Sequence, residues 1–386
     1  MSLESKVSTK AGAPVSPADR EQFSAEVEQR QMKPLWTVYR EVLTREPRAR
    51  EVPYLWSWNL VRPLLLRAGD MITAAEAERR VLMFLNPRNP AQLGATATLY
   101  AAAQLILPGE TARAHRHSPA ALRFIIEGNG AFTCVEGEKI FMSPGDLVLT
   151  PSMVWHDHGN EGDQAVMWLD GLDIPLTAAF NCMFLEEFAS LSQPASVPRA
   201  RSEKLYGRAL FPSGTAASAA RPYSPVWAYR WAEAREALEC LAKSSEPDPF
   251  DGCILRYASP ADGGAVLPTM GCRLQLIRKG EHPAAHRHTP STIYHVAEGS
   301  GFSVLDGIRF DWRRGDTFAV PIWCWHEHAA PTEDAVLFSF TDEPVIAPLG
   351  LMRSEAYSEN DGYQAVRSKN TVGGEEENKA GDRRQM

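Results

Sequence analysis

The sequence predicts an all-β fold of two β-barrels, with a helical segment before the first barrel and a helical connection between the two. Three observations predict it. The chain has 386 residues, enough for two domains that each bury a core. Short apolar runs broken by Gly, Pro and Asp begin near Thr96 and again near Pro268, a texture typical of barrels. One block of motifs also occurs twice, which indicates a duplicated fold.

The composition excludes several classes of partner. The formal net charge of −8 argues against a general nucleic-acid or anionic-membrane surface. The six cysteines form no CxxC pair, which favours reduced thiols. The N-terminus lacks the apolar stretch of a signal peptide, and no run reaches the length of a membrane span. We therefore expect a cytoplasmic protein with neither nucleic acid nor membrane as a partner.

Capping residues mark helices in the first part of the chain. A Ser-Pro pair at 16–17 starts the first predicted helix, and a second is expected from Leu35 to about Thr44. The stretch from Thr73 to Glu76 has the spacing of a capping box. It starts a third predicted helix, which is expected to carry Arg79 and Arg80.

Two further helices are expected between the barrels, near 177–191 and over 231–243, where helical periodicity returns. The chain is then divided into disordered tails at 1–15 and 368–386, a helical segment at 16–95, a first barrel at 96–176, a helical or loop linker at 177–265, and a second barrel at 266–367.

The most informative feature is a repeat of histidine motifs. A Gly, five residues and a His-x-His occur at 109–117 and again at 280–288, an offset of 171 residues. A Gly-Asp pair and, ten residues after its Gly, a Trp-His-x-His occur at 145–158 and again at 315–328, an offset of 170. Nearly constant spacing over both blocks indicates one duplicated fold.

These motifs bring histidines to one face. Because alternate side chains of a strand point the same way, His115 and His117 share a face, and so do His156 and His158. A barrel can bring the two strands together, so that three imidazoles, from residues 115, 117 and 156, leave open positions on a catalytic metal. Neutral nitrogen ligands suit Fe(II), Zn(II), Mn(II), Ni(II) or Cu(II). A lone His-x-His is more often an ordinary surface or core pair, but duplication favours a metal.

The spacing resembles the cupin signature, whose first motif is Gly, five residues, His-x-His, three or four residues, Glu, six residues and Gly. Ala121 stands at the Glu position, and Thr292 stands there in the second copy. The resemblance implies a bicupin, two jelly-roll barrels, with a metal held by three histidines and no carboxylate.

Longer stretches resemble the gentisate 1,2-dioxygenase family, which includes salicylate and 1-hydroxy-2-naphthoate dioxygenases. They are KPLW (33–36), RPLLLRAG (62–69), AERRVL (77–82), LILPGETARAHRHSPAALRFIIEG, TPSMVWHDHGNEGDQAVMWLDGLDIPL and FDWRRGDTFAVPIWCWHEH. The resemblance implies an Fe(II) enzyme that uses O2 to cleave a hydroxylated benzoate between the carboxyl-bearing and adjacent hydroxyl-bearing carbons. Gentisate would give maleylpyruvate. It also implies a homotetramer.

Arginines near the ligands can bind the acidic substrate. Arg123, six positions after His117, can grip a carboxylate in bidentate fashion, and Arg79 can supply a second positive charge. The alternative for each is an ordinary solvent-facing arginine.

The resemblance implies roles for four more residues. His158 would lie beside the oxygen-binding position as a proton donor or acceptor, with a structurally bonded core histidine as the alternative. Tyr100 and Gln104 would line the pocket wall. Asp170 would orient a pocket histidine.

The second copy keeps three histidines that form a candidate second metal site: His286, His288 and His326. Under the repeat alignment, Tyr294 replaces Arg123 and Phe340 replaces Asp170. Without the carboxylate-gripping arginine we expect no catalysis there, and a structural or oligomerisation role instead.

Other functions stay open at this point. The substrate can be salicylate, a substituted salicylate or 1-hydroxy-2-naphthoate, because pocket shape and not motif distinguishes them. A manganese or zinc isomerase is a non-oxidative alternative. A metal- or sugar-binding bicupin without catalysis is an alternative of another class.

Overall fold

The computed structural model describes residues 16–77, 79–212 and 222–370. The expected tail at 1–15 and most of the tail at 368–386 lie outside the described residues. Ser368 and Lys369 form a short strand, so the tail prediction is wrong at its first residues. Within the described ranges, no helix is both long and apolar enough to cross a membrane.

The described chain divides into two compact units after Arg48. In the first, helix α1 spans Pro17–Gln29 and helix α2 spans Leu35–Val42, as predicted. The Ser16 side chain accepts a hydrogen bond from the Asp19 backbone N–H at 3.1 Å, which confirms the predicted cap. Helix α2 leaves large apolar side chains exposed within this unit: Leu35, Trp36, Tyr39 and Val42.

The second unit opens with strand β1 (Tyr54–Trp56), helix α3 (Trp58–Met71) and the short helix α4 (Ala74–Ala77). The predicted capping box is present before α4. The Glu76 backbone N–H donates to Thr73 Oγ1 at 3.2 Å, and the Thr73 N–H donates to Glu76 Oε2 at 3.0 Å.

The third predicted helix is wrong beyond Ala77. Arg79 lies in a bend, and Arg80 begins strand β2 (Arg80–Met83). The Arg80 guanidinium is buried and forms an ion pair with Glu110. Helical propensity is worth only about 0.5 kcal/mol per residue. The ion pair with Glu110 and the backbone hydrogen bonds between β2 and β3 outweigh it.

The first barrel is built from short antiparallel strands with largely buried side chains. They are β3 (Tyr100–Ile106), β4 (Thr111–His117), β5 (Ala121–Glu127), β6 (Ala131–Val135), β7 (Glu138–Phe141), β8 (Leu147–Thr150), β9 (His156–Asn160) and β10 (Val166–Leu172).

The connection between the barrels contains strands as well as helices. Its elements are α5 (Ile174–Ala179), β11 (Leu185–Glu187), α6 (Arg201–Leu205), β12 (Ala228–Tyr229), α7 (Trp231–Ser244) and β13 (Cys253–Tyr257). Helix α7 confirms the prediction for 231–243. The helix expected near 177–191 is wrong after Ala179, because residues 185–187 pair with β4 as a strand. The predicted linker also missed β13, which pairs with the first strand of the second barrel.

The second barrel repeats the first. Its elements are β14 (Gly271–Ile277), β15 (His286–His288), β16 (Thr292–Glu298), β17 (Ser300–Leu305), β18 (Ile308–Arg313), β19 (Thr317–Val320), β20 (His326–Ala329), β21 (Ala335–Thr341), α8 (Glu343–Ile346), β22 (Ser354–Ala356) and β23 (Ser368–Lys369).

The sheet orders confirm the predicted duplication. The sheets of the first barrel run β12-β8-β5-β10-β3-β2 and β11-β4-β9-β6-β7. Those of the second run β1-β19-β16-β21-β14-β13 and β22-β15-β20-β17-β18-β23. Each barrel borrows an edge strand: β1 precedes the first barrel but completes a sheet of the second, and β12 precedes the second barrel but completes a sheet of the first.

The two Gly-Asp pairs of the repeat cap the helices that follow these exchanged strands. Asp316 Oδ1 accepts the backbone N–H of Trp58, the first residue of α3, at 2.8 Å. Asp146 Oδ1 accepts the backbone N–H of Trp231, the first residue of α7, at 3.0 Å. A carboxylate at a helix N-terminus satisfies an unpaired donor and complements the helix dipole. Each barrel therefore caps the N-terminus of the helix that belongs to the other half.

The barrels share one apolar core. Phe124 on β5 stacks on Phe338 on β21, with ring centroids 4.2 Å apart and planes 12° from parallel. Both belong to a buried cluster that spans the two barrels. The shared core therefore joins the β5 sheet of the first barrel to the β21 sheet of the second.

Candidate metal centre

Three histidine side chains converge inside the first barrel. His115 and His117 lie on β4, and His156 begins β9 directly opposite His115. The ladder between β4 and β9 is irregular just before His115. The ring centroids are 4.5 to 5.1 Å apart. One nitrogen of each ring lies within 4.8 Å of the others, so the sequence-predicted triad does come together.

Backbone carbonyls orient these rings. Nδ1 of His117 lies 2.7 Å from the Pro119 carbonyl, and Nδ1 of His156 lies 2.9 Å from the Val154 carbonyl. Because a carbonyl only accepts hydrogen bonds, each Nδ1 carries the proton and each Nε2 keeps its lone pair. Nε2 of His156 is buried and has no hydrogen-bond partner among the described residues.

The electrostatics keep the triad neutral. Burial is the main cause that lowers the pKa of His115 to about 3 and that of His117 to about 4, from the ordinary 6.5. Burial likewise lowers the pKa of His156 well below 6.5. Three neutral imidazoles and an unpartnered buried nitrogen fit a divalent transition metal with open positions for further ligands.

Arg79 contacts the triad from outside. Its Nη2 lies 2.6 Å from His115 Nδ1 and donates to the Arg113 carbonyl at 3.2 Å. That same carbonyl lies 3.2 Å from His115 Nδ1. The guanidinium contact requires an unprotonated Nδ1, whereas the carbonyl contact requires a protonated one. Ligation of a metal through Nε2 favours the form with a protonated Nδ1.

A cavity of about 240 Å³ lies over the three histidines. This volume suits a ligand smaller than a drug-sized molecule. Besides the triad, the residues predicted from sequence that line it are Arg79, Tyr100, Gln104, Arg123 and Asp170.

Arg123 and Asp170 form a buried pair in the cavity wall. They lie opposite each other on β5 and β10, with Arg123 Nε 3.4 Å from Asp170 Oδ1. Arg123 also donates to Thr150 Oγ1 at 3.1 Å, while its Nε lacks a hydrogen bond within the described chain. Burial raises the pKa of Asp170 to about 6, and Arg123 opposes that rise.

The expectation that Asp170 orients a pocket histidine is corrected. Its described partners are Arg123 and the Trp168 Nε1–H, which donates to it at 2.9 Å. Strand register puts the carboxylate directly across from the arginine, so it positions Arg123 instead.

His158 lies behind the cavity and does not line it. Its side chain is fully buried, and its ring centroid is 5.7 Å from that of His156. Nδ1 lies 2.9 Å from Thr133 Oγ1, whose hydroxyl donates to the Met142 sulfur. The buried Nε2 of His158 has no hydrogen-bond partner among the described groups.

Sequence reasoning missed part of the cavity wall. Arg113 lines it, and its position two residues before His115 on the same strand is a signal that could have found it. Leu185 and Glu187 also line it. They were missed because their segment was predicted to be helical, whereas β11 lies against the ligand strand β4.

The second barrel brings its own three histidines together. The candidate ligands His286, His288 and His326 also offer one nitrogen each within 4.8 Å of the others.

Comparison with known proteins agrees with this architecture. The cupin domain model matches residues 103–172 and 273–341. Gentisate 1,2 dioxygenase 1 of Aquipseudomonas alcaligenes is 40% identical over 340 residues, covering 88% of this chain and 97% of that protein. 5-Aminosalicylate 1,2-dioxygenase of Comamonas sp is 40% identical over 339 residues, covering 87% and 90%.

A solved structure extends the likeness to three dimensions. Salicylate 1,2-dioxygenase from Pseudoaminobacter salicylatoxidans with gentisate has a TM-score of 0.81 and 32% identity, covering 90% of this chain and 96% of that one. The bicupin fold and the ring-cleaving activity expected from the sequence are thereby confirmed. The chain belongs to the gentisate 1,2-dioxygenase family of bicupin enzymes and is a ring-cleaving dioxygenase.

Proposed function

We propose that the protein is an Fe(II)-dependent gentisate 1,2-dioxygenase, which opens 2,5-dihydroxybenzoate between its carboxyl- and adjacent hydroxyl-bearing carbons to give maleylpyruvate. One observation carries the proposal. The buried guanidinium of Arg123 and the neutral triad of His115, His117 and His156 line the same small cavity. This arrangement can hold a carboxylate and an adjacent hydroxyl oxygen at the same time.

The protein's part in the reaction is orientation and proton handling. Arg123 binds the substrate carboxylate, and Asp170 holds Arg123 in place. Tyr100 and Gln104 form the adjoining wall. We assign His158, whose buried Nε2 has no described hydrogen-bond partner and whose ring lies behind His156, to holding a proton during ring opening. Iron(II), when bound, supplies the redox chemistry with dioxygen.

The proposal is tested by oxygen uptake of Fe(II)-loaded protein. We expect uptake with gentisate, together with a rise in product absorbance, and little activity with Zn(II) in place of iron. Absence of uptake with gentisate, salicylate and hydroxynaphthoate alike would reject ring cleavage of this substrate class.

A second experiment tests the metal ligands. The His117→Ala variant should lose both the iron of the first site and turnover, and survival of both would show that the ligand assignment is wrong.

A second candidate substrate is 5-aminosalicylate. The relative named for it is as similar to this chain, at 40% identity, as the relative named for gentisate. Side-by-side kcat/KM values for gentisate, salicylate and 5-aminosalicylate decide between them. A higher kcat/KM for 5-aminosalicylate would replace gentisate as the proposed substrate. The homotetramer and the cytoplasmic location stay predictions.

A further inference from the structure

The second barrel reproduces the geometry of the first triad. Its ring centroids are 4.3 to 5.5 Å apart. His286 lies opposite His326, as His115 lies opposite His156. The ring-orienting contacts also recur: Nδ1 of His288 is 2.8 Å from the Pro290 carbonyl, and Nδ1 of His326 is 2.9 Å from the Cys324 carbonyl. This shared geometry indicates that the second triad can bind a metal, and that its histidines are more than a trace of the duplication.

Strand register changes the comparison of the two sites. Tyr294 lies opposite Ser339, as Arg123 lies opposite Asp170. Ser339, and not Phe340, is therefore the counterpart of Asp170. The alignment by sequence offset was wrong here because 45 residue steps separate Tyr294 from Ser339, against 47 in the first barrel.

The second site has an arginine on a different strand. Arg273 on β14 also lies opposite Ser339, at the place where Ala102 lies opposite Asp170. Directly opposed side chains of antiparallel strands project from the same face of the sheet. Since Asp170 lines the first cavity, Arg273 projects from the equivalent inner face of the second barrel.

Arginine and tyrosine have thus exchanged strands across the central strand of the sheet. The first barrel has Tyr100 on β3 and Arg123 on β5, whereas the second has Arg273 on β14 and Tyr294 on β16. The residue at the register position of Tyr100 is Gly271, so the Tyr100 side chain has no counterpart on β14. The second barrel therefore does carry an inward-facing arginine, on a different strand from Arg123.

The Arg273 guanidinium keeps hydrogen-bond donors beyond those used in its ion pair. Arg273 forms an ion pair with Glu343, and both side chains are about one-third exposed (32% and 34%). A guanidinium has five N–H donors, so this pair leaves donors for a second anion.

A buried amide adds an independent sign of a ligand. Gln275, two residues after Arg273 on the same face of β14, is fully buried. Its Nε2 donates to the Asp251 carbonyl at 2.8 Å, but its Oε1 is buried without a hydrogen-bond partner among the described groups. Its counterpart Gln104 lines the first cavity. An unsatisfied buried acceptor is costly, so Oε1 is available to a donor that enters the barrel, such as a water molecule bound with the ligand.

We propose that the second barrel is a separate metal-dependent binding site for a small carboxylic acid, with His286, His288 and His326 as metal ligands and Arg273 as the carboxylate-binding residue. This proposal does not depend on which substrate the first barrel cleaves.

Metal content of the full-length protein tests the first half of this proposal. Loaded with Co(II), the wild type should hold about two ions per chain, and His117→Ala and His288→Ala should each hold about one. About one ion in the wild type and none in His117→Ala would overturn the second metal site. Because the wild type and His288→Ala are measured as well, the answer does not depend on His117→Ala folding.

Benzoate binding tests the second half. In Co(II)-loaded His117→Ala protein, benzoate should change the visible absorption spectrum of the remaining ion in a saturable way. Arg273→Gln in that background should weaken the apparent affinity by roughly tenfold or more, since a charge-assisted pair is lost. Arg273→Lys should weaken it less.

The matched control is Arg309→Gln, which removes an arginine of the same barrel that pairs with Asp311 on its own strand. Its benzoate affinity should equal that of the His117→Ala parent. Equal affinities for Arg273→Gln and Arg309→Gln, or no spectral response to benzoate at all, would overturn the anion site.

Discussion

At the scale of the residue, the first site places a positive charge and a neutral metal-binding triad on one cavity. Arg123 is buried beside the Asp170 carboxylate and donates a hydrogen bond to Thr150 Oγ1. Its Nε lies 3.4 Å from Asp170 Oδ1 but makes no hydrogen bond within the described residues, and low polarity strengthens the attraction between a buried guanidinium and an anion. We therefore expect the preference for acidic substrates to depend on Arg123.

Replacing Arg123 by Gln should cut kcat/KM for hydroxybenzoates by roughly 10- to 100-fold, the usual effect of losing a hydrogen bond to a charged group. First-site metal content should stay unchanged. Arg113→Gln is the control, because Arg113 also lines the cavity but its side chain is 48% exposed and its charge is screened. Steady-state kinetics check this, and equal losses for both variants would contradict the role of Arg123.

Asp342 makes a pH-dependent contribution to stability. It is buried and accepts the Ser291 backbone N–H at 2.8 Å and the Thr98 hydroxyl. Burial raises its pKa from 3.8 to about 6. The folded state then holds the proton more tightly than the unfolded state, so the stability gained is fully present below pH 3.8 and is lost as pH rises through 6.

The Asp342→Asn variant does not titrate at this site. The wild type should therefore lose up to roughly 3 kcal/mol relative to Asp342→Asn between pH 4 and 7, which corresponds to about two pKa units. Melting temperatures of both proteins across this range measure the difference. Asp311→Asn, at an exposed side chain, is the control and should show no such trend. A constant difference between wild type and Asp342→Asn would refute the shifted pKa.

At the scale of the element, local signals predicted some features and tertiary pairing decided others. The caps at Ser16 and Thr73 depend on neighbours in sequence, and the chain shows both. The helix expected to carry Arg80 and the one expected near 177–191 gave way to strands, because β2 and β11 are stabilised by partners distant in sequence. No local pattern encodes such a partner. The pairing of Ser339 with Arg273 and Tyr294 in the second barrel could not be predicted for the same reason, because it depends on strand register and not on local sequence.

Helix α3 depends on a cap from the opposite barrel. Asp316→Ala should lower the free energy of unfolding by about 1 kcal/mol, because the Trp58 N–H loses its acceptor. Asp316→Asn keeps an acceptor oxygen and should cost less. Asp146→Ala should cost more than Asp316→Ala, since Asp146 also pairs with Arg230 at 2.6 Å. Denaturation midpoints rank the three variants, and equal losses for Asp316→Ala and Asp316→Asn would contradict the cap.

At the scale of the whole molecule, the duplication has produced one folding unit from two barrels. Each half supplies an edge strand and a capped helix to the other, and the same exchange recurs in smaller contacts. Thr98, two residues before β3, donates its hydroxyl hydrogen to Asp342, which directly follows β21. Thr269, two residues before β14, donates to Asp173, which directly follows β10. Such reciprocity links the stability of the two barrels that carry the histidine triads.

This linkage predicts that the barrels unfold together. Phe338 belongs to the second barrel but stacks on Phe124 of the first, so Phe338→Ala leaves a cavity in the shared core and should cost roughly 3–5 kcal/mol. Calorimetry should show a single transition in the wild type and a single transition at lower temperature in the variant.

The matched control is Phe310→Ala, which lies in an apolar cluster of the second barrel alone and should also lower that one transition. Metal bound only at the first site, as in His288→Ala, should raise the whole transition, because a ligand of the native state stabilises everything that unfolds with it. Two separate transitions in the wild type, with Phe310→Ala moving only one of them, would mean that the barrels are independent and that the exchanged strands do not couple them.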